Sequence, residues 1–410
     1  MHGKEYIAAL GDWQGFEIGT VECRQPEDGM ERPEIWVELF PDRTRPMKCS
    51  GCSQEVDRIH DWTERWIRDL PAWGADTRLL VHLRRVKCDR CHTAMEEVAW
   101  LSPYARVTKR LALSVARLCR VAPIRHVAEH YGLSWDQVKG IHKGYLQEHL
   151  GEPDLSGVTT LGMDEFAIQK GHRYATVIIR PSTREVLWVG RGRGREDIRP
   201  FFEKLGEEGR QRIEAVVMDM WEPYEQEVRH QCVRAEIVYD LFHVKNKYGR
   251  EVIDRVRVDE ANRLKENKHE REVVKGSKWL LLRNSGNLRR KDRVRLTELL
   301  EANKQLATVY VLKDDLAHLW DYVYRGAAQR FWDGWYSRAI RSRIGPLKAF
   351  ALKLKERLHG VLAHCRHPLN TSVLEGLNNT IKVIKRMAYG FRDDAYFFLR
   401  IREAFPGDPG

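Results

Sequence analysis

The stretch EAVVMDMWEPY, residues 214–224, decides how the chain is read. An apolar run of the kind buried inside a sheet, 213–218, closes on Asp219, and a helix follows with Pro223 in its first turn. Upstream, segments 158–168, 173–180 and 185–190 are short, β-rich and separated by the turn-like KGH and PST. A helical stretch at 198–205 leads into the 213–218 run, and a second apolar run, 235–239, comes after the Pro223 helix. Three meandering strands are thus followed by alternating helix and strand.

That order is the one expected of an RNase H-like α/β domain. Asp219 then lies at the C-terminal end of a parallel strand, where open α/β sheets place their sites. Asp164, in LGMDEFAI (161–168), lies on the neighbouring central strand. Glu165 points to the opposite face of that strand, so Asp164 is the acid expected to face the site. After YDLFHVK (239–245) the strand signals stop, and the chain to about residue 367 is charged and helix-patterned, an all-helical insertion. A last helix is expected in NTSVLEGLNNTIKVIKR (370–386), capped by Asn370 or Thr371, with Leu374, Leu377, Ile381 and Ile384 as its buried stripe. Glu375, Asn378, Asn379, Lys382, Lys385 and Arg386 occupy its other faces. Read alone, this is equally a solvated amphipathic helix. Read with Asp164 and Asp219, Glu375 completes a set of two strand-end acids and one helical acid. Such a set can hold two divalent metals for phosphoryl transfer on a nucleic acid backbone.

Composition agrees. In 410 residues, Lys plus Arg (70) exceed Asp plus Glu (59), leaving a net charge of +11 that suits a polyanionic partner. The N-terminal segment lacks the apolar core of a signal peptide, and no apolar run reaches the roughly 18 residues of a membrane span, so a cytosolic protein is expected. Eight cysteines in such a protein do not suggest a disulfide framework. Four of them form CSGC (Cys49, Cys52) and CDRC (Cys88, Cys91), two CxxC knuckles 35 residues apart, with the donor set of a structural zinc site. The long gap, alternating over 77–86, suggests a ribbon with a strand-rich insert; coincidental surface turns are the bland alternative. His92 adjoins the second knuckle as a substitute ligand, and Cys23, Cys119, Cys232 and Cys365 read as ordinary buried thiols.

Between these regions, Ala128, Gly132 and Val138 have the spacing of a helix-turn-helix, preceded by a helix at about 108–120. Ser134 and Gln137 form a capping box that starts the second helix of the motif. Its early residues Trp135, Asp136, Lys139 and Lys143 are expected to be exposed against DNA, unless the unit is an ordinary helical hairpin.

Along nearly its whole length the chain resembles bacterial insertion-sequence DDE transposases of the ISL3 group. The motifs that carry the resemblance are CSGC and CDRC, the helix-turn-helix, MDEFAIQKGHRYATVI (163–178), VVMDMWEPY (216–224), YDLFHVK (239–245) and LEGLNNTIKVIKRMAYGFRD (374–393). The resemblance implies a multidomain α+β protein: a zinc ribbon (1–103), a helix-turn-helix (104–150), and an RNase H-like core (157–245) interrupted by an all-α insertion (246–367) and completed by 368–405. It implies the catalytic triad Asp164, Asp219 and Glu375. Asp240 and His243 resemble a signature of related families, and His243 is read either as a contact to the scissile phosphate or its water, or as structural. The implied activity is metal-dependent strand cleavage and strand transfer, with two Mg2+ (or Mn2+) at the acids and Zn2+ at Cys49, Cys52, Cys88 and Cys91. The implied partner is double-stranded DNA, both terminal inverted repeats and target, contacted by Trp135, Lys139, Lys143, Lys382, Lys385 and Arg386. A homodimer or larger assembly on DNA, no membrane, and a nucleoid-associated place in the bacterial cytoplasm complete the expectation. The alternatives are a non-catalytic DNA-binding regulator derived from a transposase and an RNase H-like nuclease without strand transfer. GRGRGRED (190–197) lacks the lysine and spacing of a phosphate-binding loop and reads as a basic loop. Trp221, Trp332 and Trp335 are candidates for stacking on unpaired bases, with core packing the stronger reading of each.

Overall fold

The computed structural model describes residues 11–25, 32–169, 173–283, 287–369 and 372–407. The chain divides into two compact units, Met1–Gly151 and Glu152–Gly410. The expected caps Asn370 and Thr371 lie outside the described residues.

The first unit contains strands β1 (Phe16–Arg24), β2 (Glu34–Pro41), β3 (Met47–Lys48), β4 (Glu55–Val56), β5 (Ile59–Ala72), β6 (Ala75–Cys88) and β7 (His92–Met95). The main sheet runs β1-β2-β6-β5, with β7 added against β6. The long gap between the two CxxC pairs is largely the β5–β6 hairpin. Its turn residues Trp73 and Gly74 both have positive φ (50° and 78°), the turn geometry that matches strand twist. Leu79, Val81 and Leu83 alternate inward along β6 and pack with Val37, Leu39 and Ile67. Three helices follow: α1 (Lys109–Cys119), α2 (Ile124–Tyr131) and α3 (Trp135–His149), closed around Leu111, Val115, Val127 and Val138. One buried carboxylate fastens sheet to helices. Asp69 accepts hydrogen bonds from Trp13 Nε1 (2.8 Å), Thr108 Oγ1 (2.6 Å) and Arg110 Nε (2.7 Å). Next to it, Arg68 donates to the carbonyls of Tyr131 and Gly132, fixing the turn of the helix-turn-helix.

The second unit opens with β8 (Thr160–Gln169), β9 (Arg173–Arg180) and β10 (Glu185–Arg191). It continues through α4 (Arg195–Arg212), β11 (Ala215–Met218), α5 (Glu222–Gln231) and β12 (Glu236–Tyr239). The sheet order is β10-β9-β8-β11-β12, an antiparallel meander joined to two parallel strands, as an RNase H-like domain requires. A run of helices follows: α6 (Leu241–Tyr248), which continues through a π turn at Gly249–Ile253, then α7 (Asp254–Arg263), α8 (Lys268–Gly276), α9 (Lys278–Leu282), α10 (Arg290–Ala302), α11 (Lys304–Ala317), α12 (Arg325–Arg341), α13 (Gly345–Glu356) and α14 (Leu358–Leu362). The chain then returns as α15 (Ser372–Met387) and α16 (Asp394–Ala404).

Trp332 and Trp335 are buried in the helical insertion, which settles them as core. Trp221 is half-buried, and its ring is covered by the Arg193 guanidinium, 4.5 Å from the ring centre. One cysteine reading is corrected: Cys23 is exposed, because it stands on β1, an edge strand, whereas Cys119 and Cys232 are buried as expected and Cys365 is half-buried. No described helix is long and apolar enough to cross a membrane.

On the reverse of the sheet, α4 and α5 are joined through the buried carboxylate of Glu227, which accepts from Arg195 Nε, Arg199 Nε (3.1 Å each) and Gln231 Nε2 (2.8 Å). Burial pushes its carboxyl up, but the bonds from Arg199, Gln231 and Arg195 outweigh it and hold the group down at about 2. A carboxyl lowered in the folded state contributes stability above its ordinary range and loses it as pH falls toward the folded value. Glu227→Gln should therefore destabilise the second unit at neutral pH by roughly 2 kcal/mol, since both arginines keep some solvent. The difference in melting temperature from wild type should shrink between about pH 5 and pH 2, and a difference that stays constant on acidification would sink this account.

Candidate active site and metal centre

The parallel register builds the acid site. Val217 of β11 pairs with Gly162 of β8, and Met218 pairs with Tyr239 of β12. Continuing both ladders sets Asp219 beside Asp164 on one side and beside Asp240 on the other. Three aspartates thus form a row across three adjacent strands, about 5 Å from strand to strand.

Each aspartate commits one oxygen to a backbone N–H and turns the other to a common neighbour. Asp164 Oδ1 accepts from Glu165 N, Asp219 Oδ1 from Met220 N, and Asp240 Oδ1 from Phe242 N at the start of α6. The other oxygens face His243, one turn into α6. Its Nδ1 is 3.4 Å from Asp219 Oδ2, and its Nε2 is 3.8 Å from Asp164 Oδ2 and 3.8 Å from Asp240 Oδ2. Burial alone would lower the histidine, but Asp164, Asp219 and Asp240 outweigh it and raise it to about 9. The carboxylates therefore surround a cationic group, and the field at this point favours positive charge.

Glu165 does point the other way, toward Arg193 at 3.8 Å. Its Oε2 is buried without a hydrogen-bond partner, and burial, then the nearness of Asp164 and Asp219, holds its carboxyl above the usual range. Arg193 belongs to the Gly/Arg-rich stretch, whose Asp197 caps α4 by accepting from Gly194 N at 2.7 Å.

Helix α15 is seated by the predicted stripe, Leu374, Leu377, Ile381 and Ile384, all buried. Gly162 of β8 makes room for it: a Cβ there would lie 3.3 Å from Leu374 Cδ2 and only 2.9 Å from Ile179. The helix touches the aspartate row through a residue not assigned a role from the sequence. Asn378 Nδ2 donates to Asp164 Oδ2 at 2.5 Å. The only available signal was its spacing, three residues after Glu375 and so on the same helical surface. Glu375 itself is exposed in the first turn of α15. Among the described residues, no hydrogen bond links its carboxylate to Asp164 or Asp219. It lines a cleft of about 800 Å3 with Phe242, Lys245, Trp279 and Lys313.

The cations placed against DNA are less uniform than expected. Lys385 is half-buried and its Nζ donates to the Ala167 carbonyl of β8 at 2.8 Å, whereas Lys382 and Arg386 are exposed. On α3, Trp135 and Asp136 are exposed, but Lys139 and Lys143 are half-buried; Lys139 lies along the Trp135 ring at 5.6 Å. Side chains four residues apart on one helix cover one another, which the exposed-face reading did not allow for. The capping box is present as expected, with Gln137 N donating to Ser134 Oγ and Ser134 N to Gln137 Oε1. Gly132 takes the left-handed conformation, φ 58°, that the motif needs.

In the first unit, Cys49 and Cys52 flank the β3–β4 turn, while Cys88 and Cys91 close the far end of β6. Their four sulfurs lie within 4.8 Å of one another, and Cys52 and Cys88 are 3.5 Å apart. A tetrahedral Zn–S distance near 2.3 Å demands sulfurs about 3.8 Å apart, so the donor set fits. The N–H groups of Cys91 and Arg90 hold the Cys88 thiol down at about 7, while bonding to Cys52 pushes Cys91 up to about 12. Four thiols this close do not all ionise without a cation. His92 is exposed and is not part of the cluster.

Comparison with known proteins places this geometry. The ISL3-type DDE transposase family matches residues 161–401. The chain belongs to the ISL3 transposase family. The helix-turn-helix domain of the ISL3 transposases matches 96–145, and the zinc-finger of the transposases of IS204, IS1001, IS1096 and IS1165 matches 45–91. The chain is 49% identical over 409 residues to the transposase for insertion sequence element IS1001 of Bordetella parapertussis, covering all of both chains. It is 24% identical to the transposase for IS1557 of Mycobacterium tuberculosis, covering 94% of this chain and 92% of the relative. A Drosophila P element transposase strand transfer complex overlaps 72% of this chain and 90% of its own, at 10% identity and a TM-score of 0.37. This is an ISL3 transposase with a DNA-binding helix-turn-helix, and its zinc-ribbon domain gathers four cysteines into a cluster fit to hold a structural zinc ion. Zinc analysis of the purified chain should return one equivalent. Cys88→Ser should lower it to near zero and open the region around residues 45–95 to protease while the second unit stays resistant; full zinc content in that variant would refute the four-cysteine site.

Proposed function

We propose that this ISL3 transposase cleaves and joins DNA strands at the ends of its insertion sequence, with Asp164, Asp219 and Glu375 as the catalytic acids. The observation that carries the reading is the strand register that puts Asp164 and Asp219 side by side at the C-terminal end of β11, with α15 docked onto β8 beside them. The carboxylate oxygens suit hard divalent cations, Mg2+ or Mn2+, which when bound supply the positive charge that activates an attacking hydroxyl and stabilises a leaving 3′-oxygen. Asp164 and Asp219 would hold the cations from the sheet. Glu375, on the cleft wall one turn before Asn378, would close the set from the helix side. His243, cationic between the aspartates, is placed to bind the scissile phosphate. Lys382 and Arg386 continue along α15 as a track for the backbone, and Trp135, Lys139 and Lys143 of α3 meet the terminal inverted repeats. Lys385, which also ties α15 to β8, belongs to the same track. Two element ends must be brought together, so the active form on DNA is a homodimer or larger, working at the bacterial nucleoid.

The test is incubation of the full chain with labelled element ends and a target plasmid in Mg2+. Wild type should release 3′ ends and join them to the target. Asp219→Asn should lose at least about a thousandfold in cleavage while binding the ends as wild type does. Substantial metal-dependent cleavage by that variant would refute the assignment. End binding with no cleavage by wild type would leave a DNA-binding regulator, and cleavage without joining a nuclease. Affinity should fall steeply between 50 and 200 mM salt, roughly 10³-fold if six phosphates are contacted.

A further inference from the structure

Asn378 holds an unusual position. Its nitrogen donates to Asp164 Oδ2, and its amide oxygen is buried with no hydrogen-bond partner. The carboxylate acceptor fixes which way round the amide sits, because the reversed amide would set oxygen against oxygen. The orphan is therefore the oxygen. A buried carbonyl without a donor is uncommon in folded proteins, and this one lies beside a carboxylate that attracts cations. Asn378 is also held firmly, since Leu374, Leu377 and Ile381 seat its helix and Lys385, two turns on, is tied to the Ala167 carbonyl.

We propose that Asn378 is a further member of the cation site, its nitrogen positioning Asp164 and its oxygen serving as a neutral ligand for a divalent cation held by Asp164. The inference rests on the reading of the aspartates given above. Hard cations accept amide oxygens beside carboxylates. A neutral donor adds coordination where Asp164, Asp219 and Asp240 already crowd three acids together, and a fourth charge there would add repulsion. The sequence marks the residue as one of a surface pair, Asn378 and Asn379; only the packed structure separates the one bonded to Asp164 from its exposed neighbour.

The experiment is Mn2+ titration of the full, zinc-loaded chain by calorimetry, for wild type, Asp219→Asn, Asn378→Ala and Asn378→Asp, with Mg2+-dependence of end cleavage as a second readout. Wild type should show Mn2+ binding that Asp219→Asn removes. Asn378→Ala should weaken that binding by 10- to 100-fold and raise the Mg2+ needed for half-maximal cleavage by a similar factor, with the rate largely restored at saturating Mg2+. Asn378→Asp keeps an oxygen ligand and sets a carboxylate against Asp164, a repulsion that a bound cation offsets, so it should bind Mn2+ within a few-fold of wild type while its metal-free form is less stable. Unchanged Mn2+ affinity in Asn378→Ala overturns the proposal. Equal weakening in Asn378→Ala and Asn378→Asp also overturns the ligand role, since then only the nitrogen matters. Should wild type bind no Mn2+ that Asp219→Asn removes, the metal reading of the aspartates fails and this inference falls with it, an outcome distinct from the other two.

Discussion

Parallel pairing of β8, β11 and β12 imposes three carboxylates in one row, and the rest of the second unit is arranged around that constraint. Two unit charges about 5 Å apart repel by about 3 kcal/mol at an effective dielectric near 20, so the row is stable only if its surroundings offset the repulsion. They do so with a shared pattern: one oxygen of each aspartate takes a backbone N–H, and the other turns to His243. The raised histidine is the same electrostatics seen from the other side. A site that sets a histidine among three acids is organised for positive charge.

The second constraint is the return of the chain. More than a hundred residues separate β12 from α15, which returns to pack on β8. The insertion's own buried residues, among them Trp332, Trp335, Leu312 and Phe350, form one continuous core with those of the sheet. Helix α15 is then located by three local features: the space above Gly162, the bond from Asn378 to Asp164, and the bond from Lys385 to Ala167. Glu375 is carried to the edge of the site by that docking and sits on the cleft wall, within a helix whose position is set by its neighbours.

In the first unit the same logic appears in smaller form. A hairpin of two fourteen-residue strands carries one cysteine pair to the other, and the buried Asp69 ties the sheet to the helices. Neither device shows in composition. Asp69 lies in the largely apolar stretch WIRDLPAW (66–73), and the donors converging on it from Trp13, Thr108 and Arg110 give it a role.

Much was legible beforehand because it depends on local pattern. Apolar runs ending in Asp219 and Tyr239, the capping box at Ser134, the glycine turn at Gly132 and the stripe of α15 are all short-range signals, and each formed as read. The four cysteines were equally plain, because CxxC spacing is itself the ligand geometry. What failed to show depends on contacts between residues far apart in the chain. Lys385 looked like a surface cation until its partner, the Ala167 carbonyl 218 residues away, was in place. Cys23 reads as buried by residue type and is exposed because β1 ends its sheet. The amino-acid sequence by itself determined the elements, the acids at Asp164 and just past β11, and the two cysteine pairs, since backbone periodicity and knuckle spacing are encoded locally. Only the tertiary structure decided that Asp240 joins the row, that Asn378 reaches Asp164 and that Glu375 stands on the cleft wall, because register and helix docking are set by packing across the whole unit.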